Sequence, residues 1–280
     1  MTRREIYDRV LAAAAEVYEG REAQAVAERL CEDLYGFGRF DVVMDGQVQP
    51  EGVEEFALKE VLVRLSSGEP VQYIVGRTEF LSREFTVRSG VLIPRPETEE
   101  LVNLIVEENA SSSPHILDVG TGSGAIAISL ALEIPTAKVE AIDISPEAVD
   151  IARENKSRLA ALLSVELCDV FAFEPTPESY DIIVSNPPYI PTSERVDMRS
   201  NVVDHEPSLA LFVPDERPLM FYERIADVAK VGLRDGGRLY FEIHERLSKE
   251  TAQMLHDKGF RDVTIKEDMN SKPRMIICRK

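Results

Sequence analysis

Apolar residues recur every three or four positions through the first part of the chain, with charged residues between them. This spacing places the apolar side chains on one face of a helix. Three segments show the pattern, and Gly20, Gly36 and Gly68 separate or end them: residues 2–17, 21–35 and 53–66. The pattern predicts a small all-helical bundle over residues 1–75.

The pattern changes after this segment. Residues 79–87 are rich in aromatic and β-branched side chains, which favour a β-hairpin, so residues 76–92 are expected to link two domains. Pro94 and Pro96 then hold Arg95 in a stiff extended turn, before a helix that runs to about residue 108. Arg95 could close over a cofactor or an acidic partner group, or it could form an interdomain salt bridge. The sequence leaves both readings open.

From His115 onward, β-rich runs alternate with helical patterns. The runs at 115–119, 139–143, 164–168, 181–185 and 237–242 are separated by helical segments near 124–133, 146–158 and 219–231. Such alternation predicts a parallel, doubly wound α/β sheet over residues 93–280. After a helix at about 246–258, the runs 263–267 and 274–278 are joined by a turn-rich segment, which predicts an antiparallel pair at the sheet edge. An antiparallel last strand is typical of the class I methyltransferase fold.

A glycine-rich segment follows the first of these strands. Asp118-Val119-Gly120-Thr121-Gly122-Ser123-Gly124 indicates a strand end, a tight turn and a helix start, with glycines where the backbone must approach a bound nucleoside. Asp143 ends the next strand, 19 residues after Gly124. A carboxylate at this position can bind both hydroxyls of a ribose.

Other interpretations of the glycines have to be weighed. Gly120, Gly122 and Ala125 also satisfy the loose dinucleotide pattern, which makes a nicotinamide or flavin enzyme an alternative. Nothing downstream supplies hydride chemistry, however. A purely structural glycine turn is disfavoured because Asp118 and Asp143 flank it.

The second motif, Asn186-Pro187-Pro188-Tyr189, ends the apolar run 181–185. A planar NH2 group is a poor nucleophile because its lone pair is delocalised, so an enzyme that methylates it must hold it in one orientation. The Asn186 side-chain oxygen and a backbone carbonyl beside a proline can each accept a hydrogen bond from the NH2 group. The Tyr189 ring offers a surface for stacking. Alone, the tetrapeptide could equally be a strand-ending turn.

The two motifs support each other. Together they predict transfer of a methyl group from S-adenosyl-L-methionine to an NH2 group. The runner-up is an N6-adenine methyltransferase of DNA or RNA, because the same loop can hold the exocyclic NH2 of a flipped adenine. A cofactor-sensing or assembly protein without catalysis is disfavoured, since a binding module has no need to orient an NH2 group.

Composition narrows the choice. The 280 residues, 44% of them hydrophobic, can bury a large core in two domains, and the net charge of −18 argues against binding of nucleic acid through its phosphates. Cys31, Cys168 and Cys278 lack metal or redox spacing and the four histidines do not cluster, so we expect no metal and a cytoplasmic location. No apolar run approaches the ~20 residues of a membrane span. The stretch 11–15 is broken by Glu16, so no signal peptide is expected.

Several segments carry a resemblance to a known family. They are Gln72-Tyr73 with Gly76, Phe80 and Phe85, then Leu92 to Glu99, Asp118 to Gly124, Ser185 to Ile190, Glu206-Pro207, Ala210-Leu211 and Phe221-Tyr222. In these segments the chain resembles the HemK/PrmC family, the protein-(glutamine-N5) methyltransferases of peptide chain release factors. The likeness runs from about Pro70 to the C-terminus, with the divergent helical domain in the expected place. It implies a Rossmann-like, mostly parallel seven-stranded sheet with an antiparallel last strand, plus a small N-terminal all-α bundle.

The resemblance also implies S-adenosyl-L-methionine as cofactor, with S-adenosyl-L-homocysteine as product. The residues that would line the cofactor site are Gly120, Thr121, Gly122, Ser123, Gly124, Asp143, Asp169, Val170 and Asn186. Those that would bind the substrate glutamine amide are Asn186, Pro187, Pro188 and Tyr189, with Asn186, Pro187 and Tyr189 as the catalytic group.

The protein partner implied by the resemblance is a release factor, which carries the glutamine in a Gly-Gly-Gln loop. The helical domain 1–75 would help to recognise it. No nucleic-acid or membrane partner is expected, and we expect a monomer. The chain departs from the family at His244, where a glycine is usual, and at Val170, where an aromatic residue is frequent.

Overall fold

The structure is a computed structural model that describes residues 1–109 and 113–280. The chain divides into two compact units. The smaller, helical unit contains Met1–Arg77 and Arg199–His205, and the larger unit contains Thr78–Met198 and Glu206–Lys280.

Five helices form most of the helical unit: α1 Arg3–Ala14, α2 Gly20–Tyr35, α3 Arg39–Asp45, α4 Glu55–Ser66 and α5 Val71–Val75. Helix α1 begins at a capping box, in which the Thr2 hydroxyl accepts from the Glu5 N–H and the Glu5 carboxylate accepts from the Thr2 N–H. The apolar faces of these helices meet in one buried cluster that includes Ile6, Leu30 and Leu65. Helices α1, α2 and α4 are the three that the sequence predicts, while α3 and α5 span only two turns or fewer and were missed.

Strands β1 Arg77–Phe80 and β2 Arg83–Thr86 form the expected hairpin. Leu81 and Ser82 connect them with φ angles of 48° and 57°. Two left-handed residues in succession give a type I′ turn, which matches the twist of the strands. The buried rings of Phe80 and Phe85 meet edge to face, 5.9 Å between centroids.

The remaining strands are β3 His115–Val119, β4 Lys138–Asp143, β5 Leu163–Leu167, β6 Tyr180–Ser185, β7 Ile190–Pro191, β8 Phe212–Val213, β9 Leu233–Glu242, β10 Arg261–Glu267 and β11 Pro273–Arg279. Seven of them form one sheet in the order β10-β11-β9-β6-β3-β4-β5, while β7 and β8 form a short separate pair. The strands β9-β6-β3-β4-β5 are parallel, and β11 runs antiparallel to both of its neighbours. This confirms the expected mostly parallel seven-stranded sheet with an antiparallel last strand.

The other helices are α6 Pro96–Asn109, α7 Ala125–Glu133, α8 Pro146–Arg158, α9 Ser200–Val203, α10 Ser208–Leu211, α11 Met220–Gly232 and α12 Ser248–Asp257, and 3-10 turns occupy Thr192–Asp197 and Glu245–Leu247. Successive side chains of a strand point to opposite faces of its sheet. On β3, Ile116 therefore joins a core with α6, α7 and α8, while Leu117 joins a second core with α11 and α12. Helices on both faces explain why the strands are apolar on both sides.

The start of one strand differs from the prediction by more than two residues. Strand β9 begins at Leu233, four residues before the predicted start at 237. Gly236 and Gly237 indicate a turn, but they lie inside the strand, where its pairing with β6 shifts register between Tyr180 and Ile182. Gly236 has a φ of 76°, which a strand tolerates at such an irregularity.

No helix in the described parts of the chain is long and apolar enough to cross a membrane.

Candidate functional site

A cavity of about 360 Å³ lies at the carboxyl ends of β3, β4, β5 and β6. We call it the strand-end cavity. Ligands of open α/β sheets bind at this edge, because the loops after parallel strands meet there. Its size is in the range of small-molecule sites. The predicted site residues that line it are Gly120, Thr121, Gly122, Ser123, Asp143, Asp169, Val170, Asn186, Pro187 and Pro188.

The loop between β3 and α7 forms one side of the cavity. Gly120 and Gly122 have φ angles of 74° and 56°, and a Cβ built on either would meet no atom within 4 Å. The backbone there faces open space that a ligand can approach closely. Gly124 has a different part: it does not line the cavity, and a Cβ on it would lie 2.7 Å from Ile128 Cδ1. It permits close packing at the start of α7.

Asp143, the last residue of β4, is held by two backbone donors. Its Oδ2 accepts from the Gly122 N–H at 2.8 Å and its Oδ1 accepts from the Ser145 N–H at 2.9 Å. Burial raises the pKa of Asp143, while these hydrogen bonds favour the charged form. Each oxygen keeps a lone pair for a further donor, so the carboxylate can accept hydrogen bonds from a pair of ligand hydroxyls.

Asp118 lies beneath the same loop and is fully buried. Its Oδ2 accepts from the Thr121 hydroxyl at 2.7 Å, and its Oδ1 has no hydrogen-bond partner among the described residues. Burial raises the pKa of Asp118 to about 7. The Thr121 hydroxyl and the Ala127 N–H offset the effect of burial only in part, so an ionised Asp118 is costly near neutral pH.

The far end of the cavity is apolar. Val170 is buried there, and Asp169 accepts from the Phe171 N–H at 2.9 Å. Phe171 is 42% exposed, and the centroid of its ring lies 5.5 Å from that of the Phe221 ring. Val170 stands where the family frequently has an aromatic residue, and Phe171, which was not predicted as a site residue, supplies an aromatic wall one position later.

Asn186 follows β6 and lines the cavity together with Pro187 and Pro188. Its Nδ2 donates to Thr98 Oγ1 at 3.3 Å, and within residues 1–109 and 113–280 no donor contacts its Oδ1. Tyr189 is not part of the cavity wall: its hydroxyl donates to Glu242 Oε1 at 3.2 Å. Burial, followed by the Glu242 charge, raises the pKa of Tyr189, so its hydroxyl stays protonated.

His244 packs edge-on against the Tyr189 ring at 5.9 Å. Its Nδ1 accepts from the Arg246 N–H, so its proton lies on Nε2, which donates to Glu194 at 3.2 Å. The φ of His244 is −68°. A histidine in place of the family's usual glycine therefore causes no backbone strain.

Arg95 is paired within the larger unit. Its Nη2 lies 2.5 Å from Glu206 Oε1, and Glu206 Oε2 accepts from the Ile93 N–H at 3.2 Å. Pro207, next in the chain, lines the cavity. The observed partner of Arg95 thus belongs to the same unit, and the pair attaches one wall of the cavity to the loop before α6.

Further wall residues were not predicted from the sequence as site residues. They come from loops and helices that are distant in the chain: Gly90, Leu92, Pro94, Thr98, Ile144, Ser145, Glu147, Cys168, Phe171, Leu209, Ala210, Phe221 and Ile225. Ile144, Cys168 and Phe171 could have been found, because each directly adjoins a predicted residue. Within the described parts of the chain, no group of three or more His, Cys, Asp or Glu side chains could hold a metal ion.

Comparison with known proteins agrees with this geometry. Residues 97–206 match the methyltransferase small domain, and residues 10–76 match the PrmC N-terminal domain. A release factor glutamine methyltransferase of Bacteroides thetaiotaomicron is 45% identical over 266 residues, which cover 95% of each chain. The protein of the same name from Flavobacterium psychrophilum is 39% identical over 94% of each chain.

The chain belongs to the release factor glutamine methyltransferase family. Membership confirms the resemblance found in the sequence and S-adenosyl-L-methionine as the cofactor. Among solved structures, a methyltransferase from Pyrococcus furiosus has a TM-score of 0.51 and 17% identity, covering 70% of this chain and 88% of its own. At this identity the likeness concerns the fold alone, and it agrees with the class I methyltransferase sheet described above.

The cavity fits this cofactor on its own features. The glycine loop leaves open space for a ligand beside the backbone, a carboxylate stands at the end of β4, and an apolar wall with one aromatic ring closes the far end. These groups suit an amino-acid chain, a ribose and an adenine in that order.

Proposed function

We propose that this chain transfers a methyl group from S-adenosyl-L-methionine to the side-chain amide nitrogen of the glutamine in the Gly-Gly-Gln motif of peptide chain release factors. One observation carries the proposal: Asn186 lies on the wall of the cavity that also contains the glycine loop and Asp143. Its side-chain oxygen is not engaged by the described residues. An acceptor for an NH2 group therefore stands beside the cofactor pocket.

The cofactor, when bound, supplies an activated sulfonium methyl group. Residues 120–123 would lie along its methionine part, Asp143 would accept from the ribose hydroxyls, and Asp169 with Val170 would border the adenine. The protein then acts mainly by holding the two reactants in line and by excluding water.

The acceptor amide would be held by the loop after β6. Asn186 Oδ1 and a carbonyl beside Pro187 or Pro188 would each accept one NH2 proton, which turns the nitrogen lone pair toward the methyl group. Tyr189 would border the planar amide, with its hydroxyl anchored on Glu242. No general base is required, because a methylated amide nitrogen loses its surplus proton readily.

The helical unit would recognise the release factor. Phe40, Val43 and Met44 on α3 are spaced to share one helix face and are all strongly exposed, as is Phe56 at the start of α4. Exposed apolar groups of this kind mark protein-binding surfaces. The domain limits 1–75, 76–92 and 93–280, a monomeric state and a cytoplasmic location remain predictions.

The runner-up function is N6-adenine methylation of DNA or RNA. The loop after β6 alone does not exclude it, but the net charge of −18 disfavours binding to phosphates.

The decisive experiment measures transfer of labelled methyl from S-adenosyl-L-methionine to a purified release factor. A copy with the Gly-Gly-Gln glutamine replaced by alanine serves as the matched control, and duplex and single-stranded nucleic acids are parallel acceptors. We expect label on the unchanged factor alone. Label on nucleic acid, or equal label on the alanine copy, would overturn the proposal.

A further inference from the structure

We propose that Thr98 and Glu242 are positioning residues that set the direction of the Asn186 side-chain amide, and thereby make the site select an NH2 group. This inference rests on the proposed function. Neither residue belongs to the two sequence motifs: Thr98 lies in the first turn of α6, and Glu242 ends β9.

Three side chains form a continuous hydrogen-bonded chain at the cavity wall. Asn186 Nδ2 lies 3.3 Å from Thr98 Oγ1, and Thr98 Oγ1 lies 2.6 Å from Glu242 Oε2. Thr98 and Glu242 are 5% and 1% exposed. Because water has little access to them, each polar atom must find its partner within the protein.

The chemistry of Glu242 determines which groups donate and which accept in this hydrogen-bonded chain. A carboxylate only accepts hydrogen bonds, so the Thr98 hydroxyl must donate to it. The short distance of 2.6 Å is in the range of an O–H donor to an ionised carboxylate. The Tyr189 hydroxyl also donates to Glu242. Burial raises the pKa of Glu242, whereas the two hydroxyl donors and nearby Arg274 favour its charged form.

The consequence reaches Asn186 through Thr98. Since the Thr98 proton is directed to Glu242, the hydroxyl oxygen can only accept from Asn186, which requires the NH2 end of the Asn186 amide. The carbonyl end is left for the ligand. An amide held in this direction accepts from a glutamine NH2 and disfavours a carboxylate, although glutamine and glutamate have almost the same shape.

Two substitutions test the direction of the chain. Thr98→Val removes the hydroxyl at nearly constant side-chain volume. Glu242→Gln introduces a hydrogen-bond donor, which allows the donors and acceptors of the hydrogen-bonded chain to exchange roles. Thr98→Ser keeps the hydroxyl. Thr251→Val is the matched control, since it removes a buried threonine hydroxyl of α12 that, among the described residues, donates to the carbonyl of Leu247, just before the helix.

Each variant is assayed with S-adenosyl-L-methionine for kcat and KM, and for binding of release factors whose Gly-Gly-Gln motif carries either glutamine or glutamate. We expect Thr98→Val and Glu242→Gln each to lower kcat by about tenfold. In both variants the ratio of the affinities for the glutamine and glutamate release factors should also fall by about tenfold. Cofactor affinity should stay within about threefold of the unchanged protein. Thr98→Ser and Thr251→Val should keep both kcat and the preference.

The outcomes separate this inference from the proposed function. If the unchanged protein does not methylate the release factor, the proposed function fails. If it does, but Thr98→Val keeps the glutamine preference, the directional role is wrong. If kcat falls equally in Thr251→Val, the loss reflects general destabilisation and the inference is overturned.

Discussion

Arg95 and Glu206 form an ion pair at 2.5 Å although 111 residues separate them in the chain. The Glu206 side chain is 1% exposed, while that of Arg95 is 34% exposed. The pair is therefore solvated on one side only. Because Pro207 lines the cavity, this pair connects the stability of the fold to the shape of the site.

Removing the arginine should cost more than removing the whole pair. Arg95→Ala leaves a buried carboxylate without its cation, which we expect to lower the free energy of unfolding by about 1–3 kcal/mol after allowance for the exposed side of Arg95. The double variant Arg95→Ala with Glu206→Gln should recover part of this loss. Urea denaturation of the single and double variants measures the coupling. Strictly additive effects would show that the pair contributes nothing.

Asn186→Ala should separate catalysis from cofactor binding. The change removes an acceptor that would orient the substrate NH2, so we expect kcat to fall by about 100-fold or more. Calorimetric affinity for S-adenosyl-L-methionine should change by less than about threefold, because the glycine loop and Asp143 are untouched. Equal losses in affinity and kcat would contradict the assignment.

Asp143→Ala should have the opposite profile. It deletes the proposed acceptor for the ribose hydroxyls and the observed partner of the Gly122 N–H. We expect the dissociation constant of S-adenosyl-L-homocysteine to rise by about 10- to 100-fold. Asp143→Asn keeps one side-chain oxygen, so its dissociation constant should lie between those of the unchanged protein and the alanine variant. An unchanged dissociation constant in the alanine variant would place the ribose elsewhere.

Asp118 should make stability depend on pH. Its pKa is raised by burial from 3.8 to about 7, so the stabilisation is fully present below about pH 4 and is lost as the pH rises through 7. This difference in pKa between the unfolded and folded states corresponds to a loss of about 4 kcal/mol in the free energy of unfolding. Without cofactor, the unchanged protein should therefore lose stability relative to Asp118→Asn between pH 4 and 8.

Denaturation at several pH values checks this trend. Asp235→Asn, at a carboxylate that is 93% exposed, is the control and should run parallel to the unchanged protein. If the free energies of unfolding of Asp118→Asn and the unchanged protein differ by the same amount at every pH, burial does not raise the pKa of Asp118.

The regular part of the fold could be predicted because its signals are local. Strand β3 is apolar on both faces, and α7 begins directly after a glycine turn, so pattern alone located them. Helices α5, α9 and α10 have five, four and four residues. A helix of four or five residues is too short for its apolar positions to show a helical period, and such a helix forms only through tertiary contacts.

The site was predictable where a motif follows a strand, and not where partners meet across the chain. Asn186 and Asp143 stand at strand ends, which parallel topology brings to one edge. Thr98 lies 88 residues from Asn186 and 144 from Glu242, and no sequence period connects them. Contacts of this kind depend on the finished sheet.

Strand β11 lies between β10 and β9 in the sheet. Strand β10 precedes it in the chain, yet in the described structure β10 pairs only with β11, which in turn pairs with β9. Until residues 273–279 have been synthesised and inserted, β10 has no strand to bind and β9 keeps an open edge that other chains could pair with. Strand β11 thus completes the sheet at this edge, and we expect substitutions in it to lower the yield of folded protein more than they lower kcat.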